Sequence, residues 1–164
     1  MRKTFIAAAL AATVLGAAAE PVTFALDPGH SVVMDRATKS GKADITIDLT
    51  TLSAASSSFE GTLKGDRLFN VAQGPTARFV GDTFTFDGDK LASVAGMLTL
   101  LGKSQPVTLK ATRFNCYENA QLKREVCGGD FTGSVKRSAF GLGFGPTIAP
   151  DDVGLLVQVE AIRE

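Results

Sequence analysis

Tryptophan is absent from this chain of 164 residues, tyrosine and histidine occur once each, and the two cysteines are not in CxxC spacing. One histidine and two cysteines cannot build a His-rich metal site or an HExxH zinc protease, so no metal or cofactor is expected. A surplus of charge is missing too, with 17 Lys plus Arg against 17 Asp plus Glu. Without a basic excess, no nucleic-acid partner is expected. The apolar run at residues 5–15 falls short of the roughly 20 residues that span a bilayer, and no other segment could span, so no stable transmembrane anchor is expected. What is present is 45% hydrophobic residues, 21% charged residues and 17 glycines, a globular profile of one-domain length.

The first residues read as an export signal. Arg2 and Lys3 precede the apolar run, and Ala17-Ala18-Ala19 supplies small residues for cleavage after Ala19. Residues 1–19 are then a signal peptide and 20–164 a single domain, periplasmic or secreted, with a net charge near −2. An oxidising compartment makes a disulfide between Cys116 and Cys127 the expected pairing, a local staple across a hairpin contributing up to about 3 kcal/mol. The alternative, a redox or metal pair, lacks CxxC spacing and a nearby histidine.

Beyond Ala19 the periodicity is mostly two. Ile45, Ile47 and Leu49 alternate with polar neighbours, as do Val107, Leu109 and Ala111, then Phe131, Gly133 and Val135, then Val153, Leu155, Val157, Val159 and Ala161. Residues 22–33, 77–86 and 92–101 are less regular but strand-like, making seven strands. Short connections, Asp87-Gly88-Asp89 and Gly102-Lys103-Ser104-Gln105, leave no room for crossover helices, so the class is antiparallel all-β. Residues 58–69 are the exception: Phe59 and Leu63 fall at helical spacing behind Ser58, which predicts one short helix with Ser58 as its N-cap.

Five segments in order resemble the YceI-like family of secreted lipid-binding proteins. They are Leu26-Asp27-Pro28-Gly29-His30-Ser31; Leu68-Phe69-Asn70-Val71 with Pro75-Thr76-Ala77-Arg78-Phe79; GMLTLLGKSQPVTL at 96–109; Arg137-Ser138-Ala139-Phe140-Gly141-Leu142; and Asp152-Val153. The resemblance implies an antiparallel lipocalin-like β-barrel around an isoprenoid chain, such as a polyprenyl phosphate or a quinone tail, with no catalytic residues. In one place the chain departs from that pattern: residues 34–42 stand where the family adds a further hairpin. A small barrel or an incompletely closed one follows.

Several residues invite chemistry. His30 follows a turn and opens a strand, where a structural hydrogen bond outweighs a role as base or ligand. Ser31 would point to the opposite face, so the two do not form a nucleophile and base. Phe140-Gly141-Leu142-Gly143-Phe144-Gly145 contains GxGxG but lacks a following helix and a Lys-Ser/Thr pair, so a barrel corner is preferred over a phosphate loop. Asp151-Asp152 lacks a third spaced ligand and reads as the start of a strand.

The expected function is non-enzymatic: binding, carriage or storage of an isoprenoid lipid or quinone. Alternation assigns the cavity wall to Ile45, Ile47, Phe79, Leu98, Leu100, Leu109, Phe140, Leu155 and Val157. Two alternatives stand beside it, a protein-interaction module using an exposed sheet edge and, less favoured, a lipid-modifying enzyme. A carrier is expected to be a monomer, an open sheet a homodimer.

Overall fold

The computed structural model describes residues 31–162, apart from 36, 122 and 146–149. The expected signal peptide, most of the expected first strand and His30 lie outside the described residues. Seven strands follow one another: β1 (Ser31–Asp35), β2 (Ser40–Asp48), β3 (Thr76–Asp87), β4 (Lys90–Leu100), β5 (Lys103–Asn119), β6 (Arg124–Lys136) and β7 (Asp152–Ile162), with one helix, α1 (Ser57–Lys64), between β2 and β3. They form a single antiparallel sheet in sequence order. Six antiparallel steps make β1 and β7 run the same way. Direct closure between them would need a parallel ladder, and among the described residues none is formed.

The strands are longer than alternation alone indicates. β1 and β2 are joined by residues 36–39 only, so most of the expected 34–42 connection is strand and no hairpin intervenes. Gly41 permits this: a Cβ there would lie 2.7 Å from ring carbons of Phe84, which crosses over β2. The expected loop at 102–105 is also mostly strand, because Leu101-Gly102 alone makes the turn, with φ of 50° and 72°. Cys116 and Cys127 therefore lie inside β5 and β6, directly opposite one another, with a connection of only residues 120–123.

Curvature comes from three slips in register. Gly81 pairs with Gly96 but Thr83 with Ala95, leaving Asp82 without an opposite residue; Ala92 is the extra residue between Ser93 and Leu91, and Thr112 between Ala111 and Arg113. Each bulge bends its strand and moves the inward set by one position. On β3, Ala77 and Phe79 point inward before the bulge, and Phe84 and Phe86 pack against the core after it. On β5, Val107 and Leu109 hand over to Phe114.

The helix is shorter than expected and starts two residues earlier. Ser56, not Ser58, is the N-cap, its hydroxyl accepting from the Phe59 N–H at 3.1 Å. Gly65, a poor helix former, is the C-cap, so Asp66 and Arg67 fall outside. Leu63 is buried, whereas Phe59 stays exposed, and Lys64 reaches Glu60 at 2.7 Å on the outer face.

One end of the sheet is filled. Leu49, Leu98, Leu100, Phe140 and Leu142 form a buried cluster there, with Phe69 and Val71 packed against it. The 3-10 turn Arg137–Phe140 carries Phe140 in, and Gly141 follows at a φ of 88°, a conformation open chiefly to glycine. Arg137 is only 8% exposed. Its guanidinium donates to the backbone carbonyls of Leu142 (2.6 Å), Phe144 (2.8 Å) and Pro150 (3.0 Å), which ties the β6–β7 connection down over the core. The glycine-rich run is thus a corner, as expected.

Candidate functional site

The inner face of the curled sheet does not fill completely. Toward the hairpin end, where β1 turns into β2, β3 into β4 and β5 into β6, an open cleft of about 730 Å³ remains. Every strand contributes: Val32 and Met34 from β1, Ala43 and Ile45 from β2, Phe79 and Phe84 from β3, Leu91 and Val94 from β4, Leu109 and Phe114 from β5, Phe131 from β6 and Val159 from β7. Side chains of β1 and β7 thus face the same space although the two strands do not pair. The volume lies within the roughly 300–1,000 Å³ of small-molecule sites, and the walls are apolar and aromatic, as such sites are.

Two devices shape the wall on β6. Gly128 and Gly129 line the cleft without side chains, and a Cβ on Gly129 would meet the Arg113 carbonyl oxygen at 2.4 Å, so the strands approach too closely there for any other residue. Beside them the disulfide joins Cys116 to Cys127, whose Cα atoms are 4.0 Å apart, and Cys127 borders the cleft. Glu125 lies close to both sulfur atoms. With the sulfurs bonded to each other, this trio offers one carboxylate and no metal-ligand set.

Of the nine side chains assigned to the wall by alternation, Ile45, Phe79 and Leu109 line the cleft. Leu98, Leu100 and Phe140 belong to the buried core, and Ile47, Leu155 and Val157 pack against it, on the same inner face but outside the cleft. Alternation missed Phe84, Phe114, Leu91 and Val94, all of which lie beyond a bulge or beside one. The signal was present in the change of phase from Phe79 to Phe84. Asp151 and Asp152 have other employment: Asp151 accepts from the Ser138 N–H (2.9 Å) and hydroxyl (2.8 Å), and Asp152 from Lys136 (2.7 Å).

The outer face carries two of the ion pairs. Arg78 forks onto Asp44, its Nε at 2.7 Å, and Arg113 reaches Asp130 by Nε at 2.7 Å while Gln158 donates to the same carboxylate at 2.9 Å. The Arg78 hydrogen bonds hold the Asp44 carboxyl below the ordinary carboxylate range, and those from Gln158 and Arg113 do the same for Asp130. No acid-base pair among the described residues is directed into the cleft by any of these contacts.

Comparison with known proteins agrees with the architecture. The fold is shared with a Campylobacter jejuni YceI protein, at 20% identity and a TM-score of 0.78, with 100% of this chain and 99% of that chain covered. Burkholderia cenocepacia BcnA is similar at 27% identity and a TM-score of 0.69, covering 85% and 84%. A UPF0312 protein of Pseudomonas putida is 32% identical over 122 residues, 73% of this chain and 62% of that protein. Protein YceI of Escherichia coli is 27% identical over 123 residues, 75% and 63%. The chain thus spans somewhat under two thirds of the length of these curated relatives. The YceI-like domain model matches residues 10–161, and with the lipocalin-like curl of the sheet this places the chain in the YceI-like family.

Proposed function

We propose that the protein binds an isoprenoid lipid, non-enzymatically, with the tail in the cleft at the hairpin end, and that it carries or stores that lipid in the periplasm. The observation that carries the reading is the cleft itself: about 730 Å³ of space walled by Ile45, Phe79, Phe84, Leu109, Phe114 and Phe131. Each methylene moved from water into such a wall is worth about 0.8 kcal/mol, so a long apolar tail binds with few polar contacts. Export is supported by the leader-like composition of residues 1–19 and by the disulfide, which persists in an oxidising compartment.

The test places a charge on the wall. Phe114 is half-buried and lines the cleft, so Phe114→Asp should fold and lose retention of a prenyl lipid, because a carboxylate there is either neutralised or left desolvated. Lys110→Asp on the outer face is the control and should retain lipid. Circular dichroism verifies that both are folded. Equal retention by the two variants would refute the cleft as the site.

A second reading is favoured by the sheet edges. Val33 on β1 and Leu156 on β7 are 68% and 73% exposed, both on strands that pair on one side only among the described residues. Long edges with exposed apolar side chains pair with other strands. A dimer in size-exclusion chromatography, broken by Leu156→Lys, would support the interaction module; a monomer supports the carrier.

A further inference from the structure

Strand β5 changes partners at a single residue. From Lys103 to Lys110 it pairs with β4, from Lys110 to Asn119 it pairs with β6, and Lys110 alone stands in both ladders. The bulge at Thr112 follows at once, while the start of β4, Lys90 and Leu91, pairs with β3 only. Beyond Lys110 the end of β5 therefore forms an arm with the facing parts of β6 and β7, and β7 has no strand on its other side among the described residues. The arm supplies Phe114, Cys127, Gly128, Gly129 and Val159 to the cleft wall. Its strands are laced on the outer face by Arg113 (2.7 Å) and Gln158 (2.9 Å), which share Asp130, and by Tyr117, which donates to Glu160 at 3.0 Å. Beside the cleft the cross-strand link is the Cys116–Cys127 bridge, next to two glycines that add no side-chain packing.

We propose that this arm is the gate of the cleft and that the disulfide governs it: with the bridge intact the arm stays closed and the lipid is retained, and with the bridge reduced the arm opens about the Lys110–Thr112 hand-over and the lipid is released. The inference rests on the lipid-binding reading and adds how the lipid leaves. A bulge and a change of ladder partner concentrate bending at one place, as a hinge requires. Glycine within a strand weakens it, so the stiffness of β6 at Gly128 and Gly129 depends on the covalent link beside them. Both cysteines are half-buried rather than enclosed, within reach of a thiolate. The reductant is a dithiol: it passes two electrons and two protons to the bridge, which becomes two thiols, and is itself left as a disulfide.

The experiment follows geranylgeraniol carrying an anthraniloyl fluorophore as it leaves the full chain for an excess of phosphatidylcholine vesicles, with the bridge intact and after treatment with a dithiol. The reduced chain should release the probe at least about tenfold faster, a factor well inside what a bridge closing so short a loop supplies on the chain-entropy account. Cys116→Ser combined with Cys127→Ser should release it fast with or without the dithiol, which separates the bridge from any other effect of the reagent. Hydrogen exchange of the reduced chain locates the opening: residues 113–119 and 124–130 should lose protection, while Leu98 and Val107 in the β4–β5 ladder keep it. Equal release by the two forms would overturn the inference, and so would loss of protection throughout the sheet, which is unfolding rather than a gate; the lipid-binding reading survives either result. If the bridged chain takes up no probe, both the inference and the reading under it fall.

Discussion

The two ends of the sheet are made from the same alternation of apolar and polar residues, yet one is filled and the other is hollow. At the filled end two of the three connections are long excursions, residues 49–75 between β2 and β3 and 137–151 between β6 and β7, and these bring in Leu49, Phe140 and Leu142 as extra side chains, while the third is the tight Leu101-Gly102 turn. At the hollow end the joints are tight: Gly88-Asp89, residues 36–39 and residues 120–123. Bulges then bend the strands, and Gly129 withholds a side chain from the inner face. A cavity in this fold is a matter of which connections return to the core, since the walls at the two ends are chemically alike.

That contrast is broken most severely by truncating a ring at each end. Phe140, 2% exposed, sits in the filled cluster, so Phe140→Ala should destabilise by about 3–5 kcal/mol, through lost transfer energy plus an unrelieved cavity. Phe114 already borders empty space, so Phe114→Ala removes fewer contacts and should cost about 1–2 kcal/mol, while weakening lipid retention. Urea melts of both proteins report the difference. Equal losses would mean that the cleft wall is packed as tightly as the core.

Reduction of Cys116–Cys127 acts at the hollow end alone. The bridge should contribute about 3 kcal/mol on the chain-entropy account. Because the pair borders the cleft, the loss should appear as increased hydrogen exchange in residues 113–130, with the segment around Phe140 unchanged. Free alkylation of both thiols in protein isolated from the periplasm would show that the staple is absent in the cell.

The smallest expected effect is on the outer face and depends on pH. Asp44, Asp130 and Asp151 are held below the ordinary carboxylate range by Arg78, by Gln158 with Arg113, and by Ser138 respectively. Their folded values lie below the unfolded one, near 3.9. The stabilisation is therefore complete above that value and is lost as pH falls through the folded values. Melting temperature should be level from pH 7 to about pH 5 and decline below about pH 4, with Asp44→Asn flattening part of the decline. These groups lie at the surface, so the change is modest.

Much of this was legible in the chain. Unbroken alternation placed Ile45, Val107, Leu109 and Phe131 on the inner face, and the spacing of Cys116 and Cys127 indicated a hairpin staple. The hollow end was harder to read, because its wall is built where the phase of alternation slips, at Asp82, Ala92 and Thr112. A bulge leaves no single residue type as its mark. Only the switch from odd to even apolar positions, Phe79 to Phe84 and Leu109 to Phe114, records it. The helix start was misplaced for a related reason: Ser56, Ser57 and Ser58 are equally good caps by type, and Gly65 decided where the helix ends.

The central claim is that the cleft at the hairpin end holds a prenyl lipid. Native mass spectrometry of the protein purified without detergent from the envelope of the cells that make it tests this most directly. The expected result is a monomer carrying one small molecule whose mass fits a prenyl lipid, lost on Phe114→Asp and kept on Lys110→Asp. A ligand-free protein, recovered as a dimer that Leu156→Lys dissociates, would contradict it.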